Sequence, residues 1–516
     1  MIDIKRKVPR FDITFMLQSN AITGKGVNIS QKGVGFLVDE ELVPAANIPF
    51  STVIEGFIFS KKTYTLKGVG KLLFSNPAGV KGYYNGFEFA ELDQKSKENL
   101  LELLDDILRF QKSQMSELKN KTLADFLSYP SDDVFSKAEL FYNTLYKKIT
   151  SDLHAFSYYL DSASTSTACF IHKNSKERKD MVMLGGSNYL ALTTHPDVIK
   201  AGIEALQKYG TGSGSGSMVG GTLSIHQRLE EELADFTGKE AVMLFNSGYS
   251  TNIGVFSGLM RPADVVISDQ FNHASILDGC ILSGTKTLMF SHNKISSLKR
   301  MISRAKFKYN GLMIAVNGVY SADGSLAPLA EIARIAKTND CRVMVDEAHA
   351  FGVLGEKGVG AAEFNGCIDN TDIIMASMSK ALAGTGGFIA STKEVIAYLR
   401  YYAHSYLFSS AIPPASAASA LKALQIIRKD GGIREQLFSN IRFFTAGLKA
   451  LNLEIGDPKA AIVPLFIPDL DRLVKVSNRL FEKGIFHNLI AYPAVPMGGS
   501  LLRFRITSGH SENELT

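Results

Sequence analysis

The stretch CRVMVDEAHAFG (Cys341 to Gly352), followed after a charged, glycine-rich connection by DIIMASMSKALAGTGG (Asp372 to Gly387), decides how the chain is read. Two short apolar runs inside it, Val343 to Val345 and Ile373 to Ala376, have the length and flanks of buried parallel strands. Each ends in polar residues. Asp346, Glu347 and His349 follow the first; Ser377, Ser379 and Lys380 follow the second, with glycines beyond that permit close backbone approach. Ligands of open α/β sheets gather at such carboxyl ends. Taken singly, Lys380 reads as a solvated lysine at a helix start and Asp346 as a strand-end cap. Their joint placement predicts an acid, an imidazole, hydroxyls and a lysine converging on one site.

That inventory suits pyridoxal 5'-phosphate, which needs a lysine for covalent attachment, a carboxylate for the pyridinium nitrogen and hydroxyls for the phosphate. The composition sets wide bounds around it. A chain of 516 residues with 45% hydrophobic and 21% charged residues has the balance of a globular protein with room for a sizeable core. Its length allows roughly two to four domains. The net charge of +5 is mild and the basic residues are scattered, so a nucleic acid polymer is not an expected partner. Cys169, Cys280, Cys341 and Cys367 lie far apart without zinc spacing, as expected of reduced thiols in a cytoplasmic protein without a bound metal. The start, MIDIKRKVPRFDITFML, lacks the uninterrupted apolar core of a signal peptide, and no run approaches the ~20 apolar residues of a membrane span. Membrane contact, if any, is expected to be peripheral, at the inner face.

The first 110 residues differ from the rest. FDITFML, GVGFLVD, TVIEGFIFS, YTLKGVGKLLF and GYYNGFEFAEL read as strands between Gly, Asn and Pro turns. A helix closes the segment, with Leu100, Leu101, Leu103, Leu104, Ile107 and Leu108 as its apolar face. A small β-barrel capped by a helix is the expected outcome. Arg6 and Arg10 stand just before the first strand, and Asn28, Ser30 and Gly33 stand in NISQKG at a turn. This pairing resembles the PilZ family, whose R-x-x-x-R and [D/N]-x-S-x-x-G motifs bind cyclic di-GMP. Two guanidinium forks suit the phosphates and guanine edges of that ligand.

Residues 111–150 read as a polar, helix-prone linker and amino-terminal arm, with short helices expected over Tyr142 to Ile149 and Leu153 to Leu160. From 151 to 410, β runs such as GLMIAVN alternate with helical patterns such as HQRLEEELADF and LAEIARIAKT, which predicts a mostly parallel sheet covered on both faces. Residues 411–516 read as a smaller α+β carboxy-terminal lobe with strands in AIVPLFIP and SLLRFRIT. The glycine run Tyr209 to Thr222 has no strand before it, so it is not read as a dinucleotide loop. Ser247, Gly248 and Tyr249 sit where backbone N–H groups at a helix start would cradle a phosphate. His273, in DQFNHASILDG, reads from position alone as a loop residue.

SNYLAL, GTGSG, HQRLEEELADFTGKEA, FNSGYSTN, NHASILDG, VYSADGSLAPL, VDEAHAFG, SMSKALAGTGG, FSSAIPP, YPAVP and RFRITSGH follow one another between about Met181 and His510. In that order they resemble the α-oxoamine synthases, fold-type I pyridoxal phosphate enzymes that include serine palmitoyltransferase, aminooxononanoate synthase, aminoketobutyrate ligase and aminolevulinate synthase. The resemblance implies that Lys380 carries the cofactor, Asp346 pairs with its ring nitrogen, His349 lies by its phenolic oxygen and His273 stacks on the ring. Gly248, Tyr249, Ser377 and Ser379 would hold the phosphate, with Ser409 or Ser410 reaching it from the other subunit of a homodimer. Arg503 matches the arginine for the substrate carboxylate, with Arg505 close by. The implied reaction condenses a small amino acid with an acyl-CoA or acyl-carrier-protein thioester, releasing carbon dioxide and a 2-amino ketone. Serine palmitoyltransferase-like chemistry, and with it sphingolipid metabolism, is favoured over the sister activities.

The chain departs from that family at Gly216-Ser217, where Ser-Arg is usual, at Asn317 in place of a glutamate, and at Ser325 in place of an acid. It also stops at Thr516 where relatives continue, so the last lobe is expected to be incomplete. The competing expectation is a cyclic di-GMP effector whose synthase domain is an inactive scaffold. Regulation of the synthase by that nucleotide through residues 111–150 would join the two domains.

Overall fold

The computed structural model describes residues 157–516 throughout and, before them, residues 11–19, 23–30, 33–38, 48–55, 63–77, 83–118, 133–146, 126, 149 and 153. The chain forms two compact units, Met1–Tyr146 and Lys147–Thr516.

In the first unit six antiparallel strands close into a barrel: Phe11–Ser19, Thr23–Ser30, Gly33–Val38, Ile48–Glu55, Thr63–Pro77 and Tyr83–Leu92. Pairing of the first strand with the fourth completes the ring and removes both sheet edges. Thr23–Ser30, read from sequence as leading into a turn, is a strand; its two glycines conceal the alternation that would mark it. Asn28 and Ser30 lie on this strand, and Ser30 pairs with Gly33 across a tight hairpin. Arg6 and Arg10 lie outside the described residues. Helix Gln94–Leu118 is capped by Asp93, which accepts from Ser96 N at 2.7 Å. Ser96 Oγ in turn accepts from Lys67 N and Asn99 Nδ2 donates to Thr65 O, both at 2.8 Å, tying the helix to the fifth strand. Leu100, Leu103 and Leu104 are buried, whereas Leu101, assigned to the same face, is exposed. The helix continues past residue 110, and Ser136–Phe141 runs into a π-helical turn at Tyr142–Tyr146.

The second unit is built on seven strands: β1 (Ala241–Phe245), β2 (Val265–Asp269), β3 (Lys286–Phe290), β4 (Leu312–Asn317), β5 (Arg342–Asp346), β6 (Ile373–Ser377) and β7 (Gly387–Ser391). Their order is β1-β7-β6-β5-β4-β2-β3, and only β7 runs against the rest. Successive side chains fill opposite faces. Ile314, Val316, Val343, Val345, Ile374 and Ala376 join one apolar cluster; Met313, Ala315, Met344, Ile373 and Met375 join the other. This period of two, on strands apolar on both sides, is what helices on both faces require. Because Asp346 shares the parity of Met344, it faces the second cluster, where helices Gly248–Leu259, Ala274–Ser283 and Lys393–Tyr402 lie.

The carboxy-terminal lobe holds a three-stranded antiparallel sheet of Ile462–Phe466, Leu501–Arg505 and Asn488–Ile490. A second sheet pairs Ile485–Phe486 with Arg178–Met183, which pairs with Thr167–His172 and then Tyr158–Leu160. The end of the helix expected over Leu153 to Leu160 is therefore a strand, because Tyr158–Leu160 finds a partner fixed only by the tertiary fold.

Helix Gly248–Leu259 lies unusually close to its neighbours. A Cβ on Gly254 would stand 2.6 Å from the Phe245 ring and 2.7 Å from Ser405 Oγ. Alanine gains up to ~1 kcal/mol of helix propensity, but overpacking a rigid core costs ~1–3 kcal/mol. Gly254→Ala should therefore lower stability by about 1–2 kcal/mol in urea unfolding; an unchanged or raised midpoint would refute this packing account.

Candidate functional site

The carboxyl ends of β1, β2, β4, β5 and β6 lie along one edge of the sheet. Asp346 ends β5 and is buried, so its carboxylate needs donors. Ala348 N donates to Oδ1 at 3.0 Å and Asn252 Nδ2 to Oδ2 at 2.8 Å. Asn252 also donates to Ser275 Oγ at 2.9 Å, and Ser275 Oγ lies 2.7 Å from His273 Nδ1. One asparagine thus links the acid of β5 to the helix that His273 caps. His273 is exposed, and Tyr249 packs edge-on against its ring.

Helix Gly248–Leu259 starts beside the end of β6. Ser247 caps it, exchanging hydrogen bonds with Ser250 at 3.0 Å. Gly248 and Tyr249 occupy its first turn, where no intrahelical acceptor exists for their N–H groups. Any Cβ on Gly248 would stand 3.1 Å from Ser377 Oγ, and one on Gly387 would stand 2.9 Å from Gly248 N. The two glycines let helix start, β6 end and β7 start meet. Ser377 Oγ and Ser379 Oγ are 2.7 Å apart, next to Lys380. A helix N-terminus flanked by hydroxyls is an anion cradle.

Lys380 is half-buried, and burial holds its ammonium below the ordinary lysine range; the Asp346 charge opposes that shift and Arg505 adds to it. Burial, then the cations Lys380, Arg505 and Arg503, hold His349 well below the usual imidazole range, so its ring is neutral at pH 7. Its Nδ1 lies 2.7 Å from the hydroxyl of Tyr189, a fully buried residue. Arg503 donates through Nη1 to Ser321 O and through Nη2 to Asn488 Oδ1 at 3.2 Å.

Asp346, Asn252, Ser275 and His273 thus form one network, and Gly248, Ser377 and Ser379 form the cradle next to Lys380. Ser410 is bridged to Gly216 in the glycine-rich segment, and Ser409 O lies beside Gly216. Tyr189 and Asn252, to which the sequence reading assigns no role, complete the site. Asn252 could have been noticed as a polar residue one turn before buried Val255 and Phe256. Nothing in the local sequence marks Tyr189.

Glu347, adjacent to Asp346, has a different task. It is wholly buried, and its Oε2 and Oε1 accept from Ala361 N and Ala362 N, each at 2.8 Å. Cβ atoms at Gly318 and Gly360 would collide with it. It ties the end of β5 to the segment that follows.

The aminotransferase class I and II family model matches residues 179–516. The chain belongs to that family, and its large unit has the fold-type I architecture. The 8-amino-7-oxononanoate synthase of Thermoanaerobacter pseudethanolicus is 37% identical over 337 residues, 65% of this chain and 85% of that protein. Serine palmitoyltransferase of Sphingobacterium spiritivorum is 38% identical over 337 residues, 65% of this chain and 84% of that protein. A solved serine palmitoyltransferase with its PLP internal aldimine superposes with a TM-score of 0.70 at 31% identity, covering 74% of this chain and 96% of that one.

Burial raises the Glu347 carboxyl to about 7, against the two backbone donors that favour its ionised form. A folded-state pKa above the unfolded value of ~4.3 means this group favours folding below about pH 4 and loses that contribution as pH rises through 7. Glu347→Gln turns one acceptor into a donor facing an N–H, at a cost of ~1–3 kcal/mol. The deficit against wild type should be larger at pH 5 than at pH 8 in urea unfolding; a deficit that grows with pH would contradict this ionisation.

Proposed function

We propose that the second unit condenses a small amino acid with an acyl thioester, releasing carbon dioxide and a 2-amino ketone, with serine palmitoyltransferase-like substrates. The enzyme is a pyridoxal phosphate-dependent acyltransferase of the α-oxoamine synthase group. The observation that carries the proposal is the convergence of Lys380, the Asn252-held Asp346 and the cradle at Gly248, Ser377 and Ser379. The residues present fit the cofactor: the cradle suits its phosphate, and Asp346, oriented from both sides, suits its ring nitrogen.

When bound, pyridoxal phosphate supplies an electron sink for charge developing at the substrate Cα. This chain's residues supply the rest. Asp346 would accept from the pyridinium N–H. Lys380, with its ammonium disfavoured by burial, would hold the cofactor covalently and, as a free amine, would move the proton at the substrate Cα. His349 pairs with the Tyr189 hydroxyl through Nδ1; in the tautomer protonated on Nε2 it would donate to the cofactor's phenolic oxygen, and His273 would stack on the ring. Gly248, Tyr249, Ser377 and Ser379 would hold the phosphate. Arg503 binds the amino acid's carboxylate with a fork that a lysine lacks. Ser409 or Ser410 reaches the phosphate of a second copy in a homodimer, a reading supported by the exposed Val219 and Phe408 on either side of the Gly216–Ser410 bridge.

Lys380→Ala should abolish the visible absorption of covalently bound cofactor and reduce thioester-dependent CoA release by at least 10³-fold, as expected where covalent and acid–base roles coincide. Unchanged absorption in that variant would reject the assignment. The aminooxononanoate synthase type is a second reading, favoured by relatives that match at the same level. Serine with palmitoyl-CoA against alanine with other acyl-CoA and acyl-carrier-protein donors separates the two.

We also propose that the amino-terminal barrel is PilZ-like and binds cyclic di-GMP through Arg6, Arg10, Asn28, Ser30 and Gly33, and that the nucleotide changes synthase turnover. The closed barrel and the hairpin pairing Ser30 with Gly33 support it. Arg6→Ala with Arg10→Ala should weaken nucleotide binding by more than tenfold in calorimetry. Binding without a kinetic effect on CoA release would sink the regulatory part, and no turnover with any donor would favour the inactive scaffold.

A further inference from the structure

Basic residues are scattered along most of the chain, but the segment from Lys294 to Lys308 holds six of them, Lys294, Lys299, Arg300, Arg304, Lys306 and Lys308, and no carboxylate. Its charge of +6 exceeds the +5 of the whole chain. The segment forms helix Ile295–Ala305, the crossover between β3 and β4. Leu298, Met301, Ile302 and Ala305 pack into the first apolar cluster, so the apolar face of this helix is already committed to the core. Lys299, Arg300 and Arg304 leave from the opposite side at the helical period, and all six basic residues are exposed.

Other helices of the unit pair their cations. Lys200 lies 4.0 Å from Glu204, Arg334 lies 3.8 Å from Glu331, and Arg428 lies 3.5 Å from Glu232 and 2.9 Å from Asp235. Among the described residues, no carboxylate comes within salt-bridge distance of the six on this segment. Arg300 donates to Ser297 Oγ at 3.3 Å, and Lys308 sits over the ring of Tyr309. Arg300 and Arg304, four residues apart, repel each other on one face. Phe307 follows, 95% exposed between Lys306 and Lys308. A single apolar side chain on a surface is ordinary. An aromatic ring raised between two lysines, at the end of a helix face that carries only positive charge, suits a lipid surface, where cations meet headgroup phosphates and the ring enters between them.

We propose that this flank of the large unit docks on a bilayer containing anionic phospholipids, with Lys299, Arg300 and Arg304 against the headgroups and Phe307 inserted among them. Because the apolar face of the helix is turned to the core, attachment is mainly electrostatic: each basic residue near an anionic surface strengthens it roughly fivefold, and salt weakens it. β3 and β4 both run parallel to β2, so the crossover helix returns from the edge of the sheet that carries the site, at Lys294, to the opposite edge, at Phe307. That course decides between partners. An acidic carrier protein handing over a thioester needs basic residues gathered at the site's edge. A bilayer, being broad, meets the whole flank. The membrane then lies along the edge strand β3 rather than over the site. The proposal does not depend on the synthase reading.

The test sediments the full chain with vesicles of phosphatidylcholine alone and of phosphatidylcholine with about one-third phosphatidylglycerol, at about 0.05 M and about 0.5 M salt. At low salt the chain should bind the anionic vesicles at least tenfold more strongly than the neutral ones, and high salt should release it. Lys299→Gln, Arg300→Gln and Arg304→Gln combined should weaken that binding at least tenfold without lowering the midpoint of urea unfolding. Lys299→Arg, Arg300→Lys and Arg304→Lys combined keep the charge and should bind like the wild type. The sequence has no tryptophan, so Phe307→Trp gives a single reporter whose emission should shift to the blue with anionic vesicles alone. No binding to anionic vesicles, equal binding to both kinds, or undiminished binding by the Gln variant would each overturn the proposal. Unshifted emission from bound Phe307→Trp would overturn the insertion of the ring. Retention by an acidic acyl-carrier protein or by double-stranded DNA, lost in the Gln variant and without binding to vesicles, would assign the face to that partner and overturn the proposal.

Discussion

The hydrogen bond from Asn252 to Asp346 joins the two halves of the site, and much of the large unit is arranged around the need to make it. A carboxylate at the end of a fully covered strand has no water to solvate it, so donors must come from neighbouring elements. One comes from the backbone of Ala348 and the other from a helix on the sheet's second face. That helix must lie close enough for an asparagine to reach, which is why it carries glycines where it meets β1 and Ser377. The helix that orients Asp346 also presents its first turn at the end of β6. The acid and the anion cradle are therefore two ends of one packing decision.

Asp346 and Glu347 show how strand parity divides labour. They are adjacent carboxylates at the end of β5, and alternation sends them to different surroundings. Asp346 enters the site. Glu347 is sealed against backbone N–H groups and excludes any side chain at Gly318 and Gly360. The first is oriented by donors from two elements, and the second fixes the course of the connection after β5. Arg503 and Arg505 follow the opposite pattern: their spacing keeps both on one face, so two cations share one environment.

Much of the architecture was legible in advance. Val343 to Val345 and Ile373 to Ala376 are strands because runs this short, apolar on every position and flanked by polar residues, suit a sheet covered on both sides. Leu329–Thr338 follows its helical period to the residue. Less was legible where the pattern is diluted. Thr23–Ser30 hides its alternation behind glycines, Leu101 shares the helical stripe yet faces outward, and Tyr158–Leu160 becomes a strand only because Thr167–His172 lies beside it. Tyr189 carries no local mark of its role and Asn252 only that of a polar residue on a buried helix face, since their importance comes from His349 and Asp346, which stand 160 and 94 residues away.

By itself the sequence determined which residue types end each strand and which strands are apolar throughout, because side-chain period and burial are local properties that a window of a few residues expresses. It thereby placed Asp346, His349, Ser377 and Lys380 at carboxyl ends of a parallel sheet. Only the tertiary structure decided the order of those strands, and with it that Asn252 holds Asp346 and that Tyr189 meets His349. Only the pairing of Ile462–Phe466, Asn488–Ile490 and Leu501–Arg505 brought Asn488 to Arg503. Such contacts depend on which distant elements share a layer, and no local pattern encodes a distance across the chain.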